Sequence, residues 1–157
     1  MLADIKKVEE GYTAIFERSF RYNVEHVWSA LTENEKLAAW FHNLEAEDLR
    51  IGGCIRFYMR DGTDTSIEMH ILDFKEGVLL EYEWGEGSVR FEISPTRAGS
   101  SLVLLESIPY WTDHTPKDLA GWHVSLDVLT SLLDGEVIDF PREKWAELYG
   151  KYQQMKP

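Results

Sequence analysis

The stretch Thr115–Gly135, TPKDLAGWHVSLDVLTSLLDG, decides how the rest of the chain must fold. Leu119, Trp122, Leu126, Leu129 and Leu133 recur at helical spacing and form one apolar stripe. His123, Asp127, Thr130 and Asp134 fall on the opposite side and read as a solvated surface. Thr115 as cap, Pro116 at the first helical position and the acid Asp118 mark the start. Gly135 marks the stop. This is the only long apolar stripe in the sequence, so whatever sheet precedes it must be covered by it.

That sheet is legible upstream. Turn signals at Gly52-Gly53, Asp61-Gly62, Glu76-Gly77, Gly85-Glu86-Gly87 and Ala98-Gly99 separate segments of strand length. Ile55, Phe57 and Met59 alternate with Arg56, Tyr58 and Arg60, and Ile67, Met69 and Ile71 with Ser66, Glu68 and His70. Leu80, Tyr82 and Trp84 alternate with Leu79, Glu81 and Glu83, and Val89, Phe91 and Ile93 with Arg90, Glu92 and Ser94. Period-2 alternation gives one buried and one wet face, as in an antiparallel meander. Only Ser101–Ile108 departs from this, with Leu102 and Leu104 on one face and Val103 and Leu105 on the other.

Before the meander, Tyr12–Phe20 reads as a strand. Asn23 caps a short helix carrying Val24, Val27, Trp28 and Leu31. Thr32 and Glu35 form a capping box for a second, carrying Leu37, Trp40 and Phe41. After the long helix, Pro141 starts another, with Trp145, Leu148, Tyr149 and Tyr152 on one face. The expected architecture is α+β: a curved antiparallel sheet wrapped around a long C-terminal helix, with two short helices after the first strand. Residues 1–138 form this domain. Residues 139–157 form a helical extension that packs on it or on a second copy, because burying such side chains is worth about 1.5–3 kcal/mol each.

Composition narrows the function. The chain has 157 residues, fitting one domain with a core that needs no disulfide or metal. A formal net charge of −12 argues against nucleic acid and anionic membrane surfaces as partners. Cys54 is the single cysteine and reads as an inert thiol. The apolar runs are too short for a membrane span, and Asp4, Lys6 and Lys7 interrupt any signal-like segment, so a cytoplasmic location is expected.

The ordered set of motifs resembles the START-like superfamily, the SRPBCC group with its helix-grip fold. More narrowly, it is similar to the family named for the activator of the heat-shock-protein-90 ATPase. The pieces that carry the resemblance are Glu17-Arg18-Ser19-Phe20 and Val27-Trp28-Ser29-Ala30-Leu31-Thr32. Leu37-Ala38-Ala39-Trp40-Phe41, Gly52-Gly53 and Gly121-Trp122-His123 with Leu126-Asp127 and Leu129 complete it. About a dozen residues precede the first predicted strand, so the resemblance is to the stand-alone C-terminal-type domain. It implies an internal cavity between sheet and helix. Members of the superfamily bind lipids, sterols, polyketides or flavonoid-like molecules, and some are cyclases. A chaperone-associated role in stress response is what the family name implies.

The expected function is non-catalytic binding of a small hydrophobic ligand. The alternatives are a chaperone-associated interaction module and a cyclase- or hydratase-type enzyme using Glu106 and Tyr110. Candidate ligand-binding residues are Trp28, Trp40, Phe57, Met59, Met69, Tyr82, Trp84, Phe91, Leu104, Trp122, Leu126 and Leu129. Core packing is the competing reading for each of them taken singly. Tyr82 and Trp84 also carry polar atoms able to orient a ligand oxygen. Glu106 continues the inward parity of Leu102 and Leu104. Its expected place is nonetheless solvent at the strand end, since carboxylates are rarely buried. The alternative is a rim carboxyl with a raised pKa, able to do acid or base work and to pair with Arg18. His26, His42, His70, His114 and His123 show no metal-ligand spacing, and no cofactor fingerprint is present, so no metal or cofactor is expected.

Overall fold

A computed structural model describes all residues, 1–157. Strands β1 (Asp4–Val8) and β2 (Gly11–Phe20) come first, then helices α1 (Val24–Thr32) and α2 (Asn34–Trp40). Six strands follow: β3 (Leu44–Asp48), β4 (Cys54–Tyr58), β5 (Ser66–Lys75), β6 (Leu79–Trp84), β7 (Gly87–Thr96) and β8 (Gly99–Ile108). Helices α3 (Thr115–Leu133) and α4 (Arg142–Gln153) end the chain. The eight strands form one antiparallel sheet in the order β1-β2-β8-β7-β6-β5-β4-β3. The fold is the helix-grip α+β architecture, with α3 held against the concave face.

β2 and β3 lie second and last in the sheet, so α1 and α2 carry the chain across the concave face between them. Asn23 caps α1 by accepting the His26 N–H at 2.9 Å. The expected box at Thr32 does not form: α2 is capped by Glu33 without a side-chain bond, and the Thr32 hydroxyl donates back to Trp28 O. The sheet bends within β5, whose first half pairs with β4 and second half with β6, with a register shift between Ile71 and Asp73. Two strands escape the sequence reading. β1, DIKKV, is half charged and exposed on most of its length, and β3, LEAED, is short and acidic. β1 precedes β2, so the two short helices follow the second strand rather than the first.

The inward parity of the central strands is strict. β8 alternates half-buried and buried residues along its length, with Leu102, Leu104, Glu106 and Ile108 inside. On the outer face Arg90 sits among Asp73 (2.9 Å), Glu81 (3.1 Å) and Glu92 (2.7 Å), while Leu79, Val103 and Leu105 are half-buried. α3 is buried on nearly every side, including Leu119, Trp122, Val124, Leu126, Val128, Leu129 and Leu133. No helix is long and apolar enough to cross a membrane.

The polar side of α3 is not the solvated surface its composition suggests. α4 packs across it, with Leu148 and Tyr152 buried and Lys144 paired to Asp127 at 2.5 Å. His123 is buried and reaches the Tyr152 hydroxyl at 2.8 Å through Nδ1, with Phe16 of β2 edge-on to its ring. The same hydroxyl accepts the N–H of Ala3 at 2.9 Å, so Tyr152 joins the chain's two ends to its long helix. α4 therefore covers α3, and the half-buried Val103 and Leu105 remain on the other face of the sheet.

Two outcomes follow from this cluster. Tyr152→Phe leaves the Ala3 N–H and the His123 ring nitrogen unpartnered in a buried setting, a loss of about 1–3 kcal/mol. Urea unfolding reads it as a lower midpoint, and an unchanged midpoint contradicts it. Burial pushes the His123 pKa from 6.5 down to about 4. Between those values the unfolded chain takes up a proton that the folded chain does not. Stability is then present in full above about pH 6.5 and falls as pH drops towards about 4. A His123→Gln variant loses less stability over that interval than the parent. Parallel slopes contradict the assignment.

Candidate functional site

The N-terminal half of α3 stands off the curled sheet, and two cavities open there. The first, of about 500 Å³, lies between the ends of β5, β6 and β8 and the start of α3. The second, of about 950 Å³, lies between α2, α3 and the 135–141 connection. Phe57, Trp84, His114 and Asp118 wall both cavities, so together they form one two-lobed cleft around the Trp84 ring.

The aromatic wall is continuous. Trp84 packs on Trp122 with ring centroids 4.8 Å apart, on Phe57 at 5.7 Å and on Phe41 at 6.0 Å. Phe41 packs on Trp122 at 5.2 Å. The Trp84 indole N–H donates to Asp118 Oδ1 at 2.8 Å, which fixes the ring between the lobes and occupies its polar atom. Asp118 thus holds a strand to the helix start. It does not cap α3, whose cap residue is His114, one position before the expected Thr115.

Glu106 is the unexpected member. It is only 4% exposed, which overturns the solvent reading. Its cross-strand neighbours explain this: β8 is paired on both sides, placing Glu106 opposite Ala14 of β2 and Val89 of β7, both fully buried. Its Oε1 has no hydrogen-bond partner. Burial, followed by the nearby Asp118 carboxylate, raises its pKa well above the usual carboxylate range. Arg18 does not neutralise Glu106: its guanidinium lies over Phe16 and donates to Glu17 O at 2.8 Å.

The residues expected to bind ligand divide by position. Phe57, Met69 and Trp84 line the first lobe, and Trp40, Phe57, Trp84 and Trp122 the second. Phe91, Tyr82, Leu104, Leu126 and Leu129 are buried behind this wall and line neither lobe. Tyr82 stacks on Phe91, and burial raises its pKa. Trp28 packs on Phe74 and donates to Glu76 at 3.1 Å, away from the cleft. Met59 is 40% exposed, because β4 ends at Tyr58 and the positive φ of 56° at Arg60 turns the chain out of the alternation. Tyr110 is 69% exposed at the rim of the first lobe. Phe41, His114 and Asp118 join the cleft without having been singled out as ligand-binding. Asp118 looks in sequence like an ordinary helix-start acid, and its role needs the third dimension.

Close approach shapes the first lobe too. A Cβ on Gly87 would lie 1.8 Å from Ser107 O, so only glycine fits where β7 begins. Carboxyl groups dominate the same lobe: Glu68, Glu83, Glu86, Glu106 and Asp118 line it, and no Lys or Arg does. Glu83 is already held by His70, at 2.8 Å from its N–H and 2.7 Å from Nδ1. In the second lobe the buried Trp122 carries an indole N–H with no partner.

Residues 21–134 match the family model described as activator of Hsp90 ATPase homolog 1-like protein. No curated protein matches the chain. Among solved structures, EF2215 from Enterococcus faecalis, a conserved protein of unknown function, superposes with a TM-score of 0.82 at 26% identity. The match covers 99% of this chain and 92% of that one. BPP1335 from Bordetella parapertussis gives 0.76 at 22% identity, over 99% and 92%. DynU16, a protein of the dynemicin biosynthetic locus, gives 0.68 at 21% identity, over 80% of this chain and 48% of its own.

The carboxyl pair has a signed consequence for stability. A raised pKa means that the folded state holds a proton which the unfolded state releases first. Glu106 therefore costs nothing below its unfolded value and destabilises progressively as pH rises towards its folded value. Glu106→Gln supplies a permanent N–H donor to Asp118 in place of that proton. Its melting temperature should exceed the parent's at neutral and alkaline pH, with the gain vanishing near pH 4. A variant that melts lower at every pH contradicts the buried, protonated assignment.

Proposed function

The chain belongs to the activator of Hsp90 ATPase homolog 1-like family, and from that premise we propose that it binds a small, largely apolar molecule between sheet and α3. The observation that carries the reading is the two-lobed cleft, walled by stacked rings yet edged by unsatisfied polar atoms, Glu106 Oε1 and Trp122 Nε1. A core built only for packing leaves few such atoms, because each costs about 1–3 kcal/mol unless something bonds to it. An apolar body in the cleft gains roughly 25 cal/mol per Å² of buried surface. A few convergent polar groups on an apolar wall are the usual composition of a small-molecule site. Lipids, sterols and ring-bearing molecules of the polyketide or flavonoid type are the classes such a cleft takes. The biosynthetic locus of DynU16 supports a small-molecule setting for this fold.

One observation favours a second reading. Asp118 supplies the polar partner beside Glu106 that acid–base chemistry of a cyclase or hydratase type needs, and Tyr110 stands at the same lobe. The interaction-module reading rests on the family description alone.

Titration of the protein with fatty acids, sterols and flavonoid-like compounds tests the primary reading through Trp emission. Trp84 and Trp122 lie in the wall, so a ligand changes their emission saturably. Trp122→Ala should weaken that response several-fold, while Leu72→Ala, at a half-exposed position on β5 outside the cleft, should not. A silent panel, or equal effects of both substitutions, contradicts binding of these classes. Turnover of any of these compounds would shift the account to the enzyme.

A further inference from the structure

Resting on the ligand-binding reading of the cleft, we propose that the polar end of the ligand is a protonated amine, seated on the Glu106–Asp118 carboxyl pair with its carbon skeleton against Trp84 and Phe57. Three independent observations converge on that chemistry. Glu106 is more than nine-tenths buried, lines the first lobe and has an oxygen without a partner. An unpartnered acceptor is completed by a donor, and an ammonium group brings three.

The second observation is the field of the lobe. Glu68, Glu83 and Glu86 surround the pair, His114 is the one basic side chain on the wall, and the whole chain carries a net charge of −12. A low-dielectric cleft lined by one sign of charge concentrates ligands of the other sign. An anionic ligand such as a fatty acid carboxylate would instead meet five carboxyl groups and no Lys or Arg.

The third observation is the ring geometry. Trp84 and Phe57 pack edge to face at 5.7 Å beside the pair, and Trp84 is tied to Asp118 by its indole N–H. The carbon skeleton of an amine seated at Asp118 then meets the apolar walls formed by Trp84 and Phe57.

Binding is coupled to a proton. The free pair holds one proton, on Glu106. When an ammonium ion enters as R–NH3+, it donates to both carboxyl groups, and Glu106 releases its proton to the buffer. The cation replaces the proton, so the charge of the pair together with its occupant is unchanged.

A matched pair of probes, naphthylethylamine and naphthylethanol, tests this by calorimetry in two buffers of different ionisation enthalpy. At neutral pH the amine should bind at least about tenfold tighter than the alcohol, as a charge-assisted hydrogen bond implies. It should also release up to one proton per ligand, while the alcohol releases none. Glu106→Gln should abolish both the preference and the proton release while still binding the alcohol. Asp118→Asn provides the same comparison if the first variant fails to fold. Equal affinity for the two probes, or a preference that survives both substitutions, overturns the amine assignment and leaves the cleft as a site for neutral ligands. Binding of neither probe, together with a silent Trp panel, overturns the ligand reading as well.

Discussion

A single straight helix cannot touch the full width of a curled eight-stranded sheet, and most of what is specific to this molecule follows from that mismatch. Toward its C-terminal end α3 buries Leu126, Leu129 and Leu133 in the core shared with the sheet. At its N-terminal end the sheet curls away. There the space is closed by rings rather than aliphatic packing, and it is closed incompletely. α1 and α2, carried across the concave face by the long passage from β2 to β3, bring Trp40 and Phe41 to the second lobe.

Polar groups at this end are held under two different regimes. On the outer face Arg90 meets three carboxylates in partial solvent, an arrangement worth little to stability beyond order on the sheet. Inside, Glu106 lies between Ala14 and Val89, where burial first and the neighbouring Asp118 next raise its pKa well above the usual carboxylate range. An apolar residue there would pack without that burden, since buried carboxyl groups are expensive unless fully bonded. Glu106 is the fourth inward position of β8, after Ser100, Leu102 and Leu104, and the only carboxyl among them. At the other end, the Tyr152 hydroxyl bonds both the Ala3 N–H and His123 Nδ1.

Much of this was legible in the sequence, and what was not has physical causes. Alternation named the inner faces of β6 and β7, while β8, apolar on both sides, was the exception, and the Leu119–Leu133 stripe named the helix that covers them. β1 and β3 were hidden because edge strands rich in Asp, Glu and Lys have no apolar face to show. The polar side of α3 looked solvated because helical periodicity reports one helix at a time. α4, which covers His123, is brought there only by tertiary packing. Glu106 had the right parity, but parity does not reveal that β8 is paired on both sides, and that pairing is what excludes water. Of the aromatic and Met residues singled out in the sequence, Phe57, Met69, Trp40, Trp84 and Trp122 lie on the cleft wall. Rings such as Trp28 and Phe91, identical in composition, fell into the core, because residue type does not distinguish a cavity wall from the layer behind it.

The central claim is that a protonated Glu106 beside Asp118 sits in the wall of a cleft open to a ligand. Side-chain carboxyl carbon shifts measured by NMR across a pH titration test it most directly. The account predicts that the Glu106 signal titrates well above the ordinary carboxylate range, and that it moves when an amine occupies the cleft. A Glu106 carboxyl that ionises within the ordinary carboxylate range would contradict it.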